Sequence, residues 1–238
     1  MAKSKTQDPN HTTLDGEEKL DRYVIAHSDE EPEYLYKLWR ATNVRLLHGR
    51  MASGHLQGRL LKMFVNMIKP RNIVEVGTFY GYCGLCMAEG LEEAFCDSEE
   101  GHLYTFEVND EQEDFTRPWI EGSPWARRIT FIIGDATTEA PEVARRQGIA
   151  YDMAFIDGDK RSYISTYESL LPVMSKGGYI LADNTLWDGH VVDDTYSRDP
   201  QTRGILEFNE HVRNDDRVER VILPLRDGLT IIRVKGTS

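Results

Sequence analysis

Two short segments hold the side chains best suited to chemistry. The first runs from Phe155 to Lys160 and contains Asp157, and the second begins at Asp183-Asn184. Each follows an apolar run, as expected where parallel strands end at the ligand-binding edge of an open α/β sheet. The two carboxylates and the amide are hard oxygen donors of the kind that bind divalent cations. Such a cation beside Lys160 would favour a deprotonated oxygen nucleophile near neutral pH.

Each of these residues also has an ordinary structural interpretation. Asp157 and Asp183 could cap helices that follow their strands, which stabilises a helix by about 1 kcal/mol. Lys160 could be a solvated lysine in a first helical turn. Taken together with Asn184 and Trp187, the residues favour a functional site.

A glycine-rich turn follows the first predicted strand. Gly77, Gly81 and Gly84 have the spacing Gly-x3-Gly-x2-Gly, which differs from the dinucleotide pattern and from the P-loop. Glu107 comes directly after the second predicted strand, where an acid accepts hydrogen bonds from the ribose hydroxyls of an adenosine ligand. The alternatives are a plain tight turn and a solvated acid at a strand end. Ala136 follows the third strand, where the adenine ring would lie. A nucleoside ligand without a demanding phosphate site fits S-adenosylmethionine better than NAD.

Short β-rich runs alternate with helical ones from residue 72 onward. The runs are Ile73–Val76, Leu103–Phe106, Ile129–Ile133, Met153–Ile156, Tyr179–Leu181, Val218–Pro224 and Leu229–Val234. The alternation predicts right-handed crossovers and a doubly wound parallel sheet. The last two runs are joined through Arg226-Asp227-Gly228, with no room for a helix, so they predict an antiparallel hairpin. The fold class is therefore α/β, with a Rossmann-like, seven-stranded, mostly parallel sheet and a C-terminal antiparallel hairpin.

The N-terminal part has a different pattern. Residues 1–20 are polar and aperiodic, which predicts a flexible or loosely attached tail. Residues 23–68 carry helical periodicity and predict two or three helices before the sheet, with Tyr36 and Trp39 packed in the core. Ser28 and Glu31 before Pro32 have the spacing of a capping box, and Pro32 in the first turn is the alternative. We expect a single domain over residues 21–238, with helices over 21–70 and the core over 71–238.

The charge balance excludes several classes of partner. The 238 residues carry 28 basic and 40 acidic side chains, a net charge of −12, which disfavours nucleic acid and anionic membranes. Arg127-Arg128, Arg145-Arg146 and Lys160-Arg161 remain as local basic pairs. No apolar run approaches the ~20 residues needed to span a bilayer, and the first 20 residues lack the apolar core of a signal peptide.

The chain has three cysteines, which are too few for a disulfide framework and indicate a reducing compartment. Cys83 and Cys86 have the spacing of a redox or metal pair. No second Cys/His pair lies at zinc spacing, so we interpret them as small residues at the start of a helix. A soluble cytoplasmic protein is the expectation.

Groups of residues spread from Tyr23 to Val234 match the motifs of a known family. They are Tyr23-x3-His27-Ser28, Val74-Glu75-Val76-Gly77-Thr78-x2-Gly81-Tyr82, Phe155-Ile156-Asp157-Gly158-Asp159-Lys160-x2-Tyr163, Gly177-Gly178-x3-Ala182-Asp183-Asn184-Thr185-Leu186-Trp187-x-Gly189-x-Val191, Phe208-Asn209, and Leu223-Pro224-x2-Asp227-Gly228. In these motifs the chain resembles the cation-dependent class I O-methyltransferases related to catechol and caffeoyl-CoA O-methyltransferases.

The resemblance implies a role for each matching residue. The residues that would surround S-adenosylmethionine are Ser53, Glu75, Gly77, Thr78, Cys83, Glu107, Ala136 and Asp159. Asp157, Asp183 and Asn184 would hold a divalent cation, with Mg²⁺ favoured and Ca²⁺ or Mn²⁺ as alternatives. Lys160 matches the catalytic lysine, and Asp157, Trp187 and Asp188 would contact the acceptor. Relatives are commonly homodimers. The chain departs from the family at Cys83, where serine is usual, and at Gly158, where alanine is usual.

These roles imply transfer of a methyl group to a hydroxyl of a small vicinal dihydroxy acceptor. The cation would lower the pKa of the bound hydroxyl and of Lys160, so that Lys160 could take the proton. One alternative keeps this chemistry but uses a hydroxylated tRNA nucleoside as the acceptor. A non-catalytic S-adenosylmethionine-binding module and an NAD-dependent reductase are further alternatives.

Overall fold

The structure is a computed structural model that describes residues 14–46, 53–96 and 98–236. These residues form eight α-helices and seven β-strands. The helices are α1 (Leu14–Ala26), α2 (Glu33–Arg45), α3 (His55–Ile68), α4 (Tyr82–Ala94), α5 (Glu113–Glu121), α6 (Ala136–Gln147), α7 (Tyr163–Leu170) and α8 (Pro200–Arg213). The strands are β1 (Asn72–Val76), β2 (His102–Glu107), β3 (Ile129–Ile133), β4 (Tyr151–Ile156), β5 (Met174–Asp183), β6 (Val218–Leu223) and β7 (Leu229–Val234).

All seven strands form one sheet in the order β3-β2-β1-β4-β5-β7-β6. The first five strands run parallel, and β7 runs antiparallel to both β5 and β6. The predicted doubly wound sheet and C-terminal hairpin are therefore confirmed. The strand order reverses between β1 and β4, and the crevice beyond their carboxyl ends is where such sheets bind ligands.

Strand β5 begins at Met174, five residues before the predicted start at Tyr179. Lys176-Gly177-Gly178 has the composition of a turn, and Gly177 has a φ of 79°. The pairing of β4 with β5 shifts register between Tyr151 and Met153, so the sheet accommodates this irregular stretch. Composition alone therefore predicted a strand that is too short.

The two faces of the sheet bury alternating side chains of the same strands. Val74, Ala154 and Ile180 lie on the face covered by α6, α7 and α8. Ile73 and Leu181 lie on the opposite face, which packs against α3 and α4. This two-sided burial explains why the central strands are nearly continuous apolar runs.

Helices α3 and α4 are closely joined. A Cβ on Gly58 would lie 2.7 Å from Cys86 Sγ, so glycine is needed for this approach. The buried guanidinium of Arg59 donates to both carboxylate oxygens of Glu89, at 3.0 and 2.6 Å. The first turn of α3 is therefore fixed relative to α4, the helix that follows the glycine turn.

The N-terminal part begins with a helix. Helix α1 starts at Leu14, within the residues predicted as a tail, because Glu, Lys and Leu are good helix formers even without a regular apolar pattern. Residues 1–13 lie outside the described residues. No side chain caps α2; the Ser28 hydroxyl instead donates to the Val24 carbonyl, and Glu31 accepts from Tyr82.

In helix α2 the predicted core packing of Tyr36 and Trp39 is wrong. It buries Leu35, Leu38 and Thr42, whereas Tyr36 is 49% and Trp39 36% exposed. Tyr36 follows Leu35 and Trp39 follows Leu38, so both lie on an adjacent face of the helix, where their rings stack on each other. None of the described helices combines the length and apolarity required to cross a bilayer.

Candidate active site

The ends of β1 and β4 bring the glycine turn against Asp157. The Asp157 amide donates to the Val76 carbonyl, at 2.9 Å. Gly77 has a φ of 96°, and a Cβ at this position would collide with the Asp157 carbonyl oxygen. Only glycine therefore allows the two segments to pack this closely.

The candidate cation ligands lie together at the ends of β4 and β5. Asp183 is 5% exposed, and burial followed by the charge of Asp157 raises its pKa to about 6. Asn184 follows in the left-handed region with a φ of 57°. A buried carboxylate whose ionisation is disfavoured by a neighbouring one, beside an amide oxygen, fits a divalent cation, because the charge of the cation would relieve the repulsion.

Gln57 is a site residue that the sequence analysis missed. Its side-chain amide donates to Asp183 Oδ2 at 2.6 Å, and its carbonyl accepts from Arg226 Nη1 at 2.5 Å. Gln57 lies in the first turn of α3 and is 2% exposed. A glutamine on an amphipathic helix resembles any surface polar residue, so nothing in the sequence alone distinguished it.

Lys160 is buried beside the cation ligands, which excludes the solvated lysine. Its ammonium lies 3.0 Å from Asp157 Oδ1 and 2.8 Å from the Tyr163 hydroxyl. It also lies 5.7 Å from the centre of the Trp187 ring. Tyr163 in turn donates to the Asp183 carbonyl at 2.9 Å, so one hydroxyl connects the lysine to the end of β5.

The side chains around Lys160 raise its pKa. Burial lowers that pKa, but Tyr163 and Asp157 outweigh the effect of burial. The lowering expected from a neighbouring cation stays a prediction.

The N-cap interpretation of Asp157 and Asp183 is also wrong. The residue that caps the 3-10 turn Lys160–Ser162 is Asp159, whose side chain accepts from the Arg161 amide. Asp159 is exposed and forms an ion pair with Arg161, whose hydrogen bonds hold the pKa of Asp159 at about 2. In the part of the chain that the structure describes, Asp157 and Asp183 therefore do not cap a helix.

Two of the predicted cofactor residues, Glu75 and Thr78, form a chain of hydrogen bonds with Thr105 under the glycine turn. Thr105 donates to Glu75 Oε2 at 2.5 Å, which leaves Thr78 to donate to Thr105 at 2.6 Å. Glu75 is fully buried, and burial raises its pKa to about 8. Its other oxygen, Oε1, has no hydrogen-bond partner in the part of the chain that the structure describes. An orphaned acceptor here fits a ligand with an amino group, as S-adenosylmethionine has.

Glu107 is 7% exposed, so it is not a solvated acid. Its Oε2 accepts from the Phe79 amide at 2.8 Å and its Oε1 from the Asn109 amide at 2.9 Å. Each carboxylate oxygen can accept a second hydrogen bond. Glu107 is therefore held firmly and retains the capacity to accept bonds from a diol.

The remaining predicted cofactor residues surround the same crevice edge. Ser53 forms a hydrogen bond with the buried Cys83, which takes the place of serine, and burial raises the pKa of that thiol. Ala136 is the first residue of α6, after the Asp135 cap. Ser53, Cys83 and Ala136 are all nearly closed to solvent, as a cofactor pocket requires.

The segment after Asn184 is a strained turn supported by the β6–β7 loop. Trp187 and Asp188 have φ values of 46° and 52°. The Asp227 carbonyl accepts from the amides of Leu186 and Trp187, at 2.7 and 3.2 Å. Asp188 is exposed and lies against the Asp227 carboxyl, whose pKa is raised by burial and by Asp188. The loop thus orients the Trp187 ring toward Lys160, whereas Asp188 lies at the rim.

A second group of possible metal ligands lies outside this site. Within the described residues, Glu168, His211 and Asp215 bring their ligand atoms within 4.8 Å of one another. Arg217 forms ion pairs with Glu168 at 2.6 Å and with Asp215 at 2.7 Å. Its guanidinium already supplies the positive charge, so we interpret this group as a structural ion-pair network.

Comparison with known proteins identifies the family of the chain. The family model described as O-methyltransferase matches residues 25–235. Caffeoyl-CoA O-methyltransferase 1 of Arabidopsis thaliana is 30% identical over 240 residues, which cover 95% of this chain and 88% of the relative. Tricin synthase 1 of Oryza sativa subsp. japonica is 31% identical over 238 residues, which cover 95% of this chain and 92% of the relative.

Solved structures share the fold. The SAH-bound methyltransferase PaMTH1 of Podospora anserina has a TM-score of 0.84 at 22% identity, covering 97% of this chain and 100% of that one. The O-methyltransferase from Bacillus cereus in complex with SAH has a TM-score of 0.79 at 27% identity, covering 91% and 97%. The chain therefore belongs to the O-methyltransferase family and is an S-adenosylmethionine-dependent O-methyltransferase.

Proposed function

We propose that this enzyme requires a divalent cation and methylates a hydroxyl of a small catechol-like acceptor. The observation that carries the proposal is the buried lysine, Lys160, against the carboxylate of Asp157 and beside Asp183. When a divalent cation offsets the two carboxylates, the neutral form of this buried amine would suit removal of a proton from an oxygen nucleophile. The curated relatives include enzymes named for caffeoyl-CoA, which agrees with an aromatic hydroxylated acceptor.

In this proposal Asp157, Asp183 and Asn184 hold the cation, with Mg²⁺ favoured. A divalent cation bound there would lower the pKa of a coordinated hydroxyl, and three protein ligands leave room for two adjacent acceptor oxygens. Trp187 would cover the acceptor, because its ring already lies over the lysine. Asp157 and Asp188 would also contact the acceptor.

Lys160 takes the hydroxyl proton in this mechanism. Asp157 is one of the two groups that raise the pKa of Lys160, so engagement of that carboxylate as a ligand removes one cause of the increase. The hydrogen bond from Lys160 to Tyr163 then keeps the amine in place. Methyl transfer needs an aligned oxyanion from which water is excluded, and the 6% exposure of Lys160 meets the second condition.

The cofactor would bind along the glycine turn. Glu107 would accept bonds from the ribose hydroxyls, and Glu75 would meet the amino group through Oε1. Ser53, Gly77, Thr78, Cys83, Ala136 and Asp159 would complete the pocket. We further propose a homodimer in the cytoplasm; the buried thiols Cys83 and Cys86, which form no disulfide, agree with a reducing compartment.

The test is methyl transfer from S-adenosylmethionine to a panel of catechols, with and without EDTA. We expect EDTA to abolish transfer and Mg²⁺ to restore it. Lys160→Met, which retains the buried stem, should lower kcat roughly 10²-fold or more because the proton acceptor is lost. Calorimetry should find the affinity of this variant for S-adenosylmethionine equal to that of the parent.

The matched control is Lys235→Met, which changes an exposed lysine far along the chain and should leave kcat unchanged. Transfer that survives both EDTA and Lys160→Met would exclude the proposed mechanism. Transfer lost in Lys235→Met as well would indicate a general defect.

A further inference from the structure

The cation ligand Asp183 is connected to an exposed arginine through one buried glutamine. Arg226 lies at the tip of the β6–β7 loop, and Gln57 lies between it and Asp183. We propose that Gln57 and Arg226 form a positioning relay that holds the Asp183 carboxylate ready for the cation. The relay rests on the proposed function, because it acts through the proposed cation site. Neither residue is expected to touch the cation or the acceptor.

The orientation of Gln57 follows from its two partners. An ionised carboxylate only accepts hydrogen bonds, and a guanidinium only donates them. The Gln57 amide nitrogen must therefore face Asp183 and its oxygen must face Arg226; the flipped amide would give repulsion at both ends. The side chain thus has one favourable orientation.

Burial makes this contact a strong constraint on Asp183. Gln57 is 2% exposed and Asp183 5% exposed, so water does not compete for the 2.6 Å hydrogen bond between them. A donor fixed on Oδ2 restricts rotation of the carboxylate and sets the direction of its lone pairs. The Tyr163 hydroxyl restrains the same residue through its backbone carbonyl, at 2.9 Å. Side chain and backbone of Asp183 are therefore both held.

The Gln57 end of the relay is itself rigid. Gln57 lies next to Gly58 and Arg59, the two residues that join α3 to α4 by close packing and by a buried ion pair. The first turn of α3 cannot shift without disturbing the Arg59–Glu89 pair. The side-chain amide of Gln57 therefore keeps a fixed position relative to Asp183.

The Arg226 end is fixed by its own loop. Arg226 has a φ of 48°, and the next two carbonyls, of Asp227 and Gly228, accept from amides in residues 185–187. The β6–β7 loop thus contacts the site in two ways. Its backbone carbonyls bind the amides that follow Asn184, and its Arg226 side chain binds Gln57, the partner of Asp183. The left-handed conformation of Arg226 is part of this tight hairpin loop.

The direction in which cation affinity changes when Arg226 is removed distinguishes the relay from a simple charge effect. If Arg226 acted only through its positive charge, its removal would tighten cation binding. If it acts by polarising and orienting the Gln57 amide, its removal weakens cation binding. Groups that orient metal ligands in this way commonly change metal affinity by about 10–100-fold.

The experiment is a titration of the metal-free full chain with Mn²⁺, followed by electron paramagnetic resonance of the free ion. Gln57→Met keeps the volume and removes both hydrogen bonds, and it should raise the Kd for Mn²⁺ by about 10-fold or more. Arg226→Met should raise it by a smaller factor. The double variant should bind no more weakly than Gln57→Met, since the arginine acts through the glutamine.

Two further variants serve as controls. Arg226→Lys retains a donor for the Gln57 carbonyl and should restore most of the affinity. Arg213→Met removes another exposed arginine, in α8, and should bind Mn²⁺ like the parent. Thermal unfolding followed by circular dichroism checks the fold of each variant, and Arg226→Met decides the question if Gln57→Met is unfolded.

The outcomes separate the relay from the proposed function. A parent that binds Mn²⁺, with Arg226→Met binding equally well or more tightly, overturns the relay and leaves the cation site intact. A parent that binds no Mn²⁺ removes the cation from the proposed function and the relay with it. Weaker binding in both single variants, without further loss in the double variant, supports the relay.

Discussion

Glu75 combines features that rarely occur together in one residue. It lies one residue before the end of β1, is completely buried, and has one oxygen bonded to Thr105 and one without a partner among the described residues. Burial, more than any neighbour, raises its pKa from 4.5 to about 8. The folded protein without cofactor therefore holds a proton on Glu75 at neutral pH that the unfolded chain would release.

This difference predicts the pH dependence of stability. Because the pKa of Glu75 is higher in the folded state, its contribution is fully present below pH 4.5 and is lost as the pH rises through about 8. Between those values the free energy of unfolding should fall by at most about 1.4 kcal/mol per pH unit from this group. Glu75→Gln does not titrate and should lack this part of the pH dependence.

Urea unfolding of both proteins at several pH values in this window, without cofactor, measures the effect. The difference between parent and Glu75→Gln cancels the contributions of the other carboxylates. A difference that does not change with pH would contradict a raised pKa for Glu75.

Among secondary structure elements, the α3–α4 pair depends most on a single polar contact. Arg59 and Glu89 are each 9% exposed at their side chains, and Lys62 also reaches Glu89, at 3.1 Å. Glu89→Leu leaves the Arg59 charge buried without its partner, so we expect a loss of about 3–5 kcal/mol in the free energy of unfolding. Chemical denaturation at neutral pH provides the measurement.

Two variants test whether the loss comes from the unpaired charge. Arg59→Met combined with Glu89→Leu replaces the pair by apolar groups and should recover most of the stability. Glu142→Leu breaks an exposed ion pair with Arg145 and should cost less than about 1 kcal/mol. A double variant as unstable as Glu89→Leu would show that packing, not charge, causes the loss.

The same elements show what the sequence can and cannot predict. Apolar runs located every strand, and two-sided burial requires them in the central strands. Residues at the strand ends identified Asp157, Asp183 and Lys160. The residues that hold these side chains were not predicted. Gln57 comes from a helix, and Thr105 from a strand interior, and their roles depend on which elements become neighbours. Polar contacts between distant segments leave no periodic signal.

At the scale of the whole molecule, the distribution of charge determines whether the protein can bind an RNA acceptor. The three basic pairs that could attract RNA are each engaged by neighbouring acids: Arg127 and Arg128 by Glu92, Arg145 and Arg146 by Glu142, and Arg161 by Asp159. With a net charge of −12, little unpaired positive charge remains for phosphates at these positions.

We therefore expect no retardation of tRNA by this protein in a gel at about 50 mM salt, where phosphate contacts are strongest. A catechol that is methylated in the same preparation serves as the positive control. Retardation that weakens steeply with added salt would contradict this expectation and favour the nucleoside acceptor.

The β6–β7 loop also determines when during synthesis the site can become complete. Gln57 and Arg226 are separated by 169 positions along the chain, and both converge on one carboxylate. The five parallel strands precede the hairpin along the chain, so the loop that closes over Asp183 is synthesised after all of them. A nascent or clipped chain that lacks the hairpin would have no closed site, so methyl transfer requires the β6–β7 hairpin.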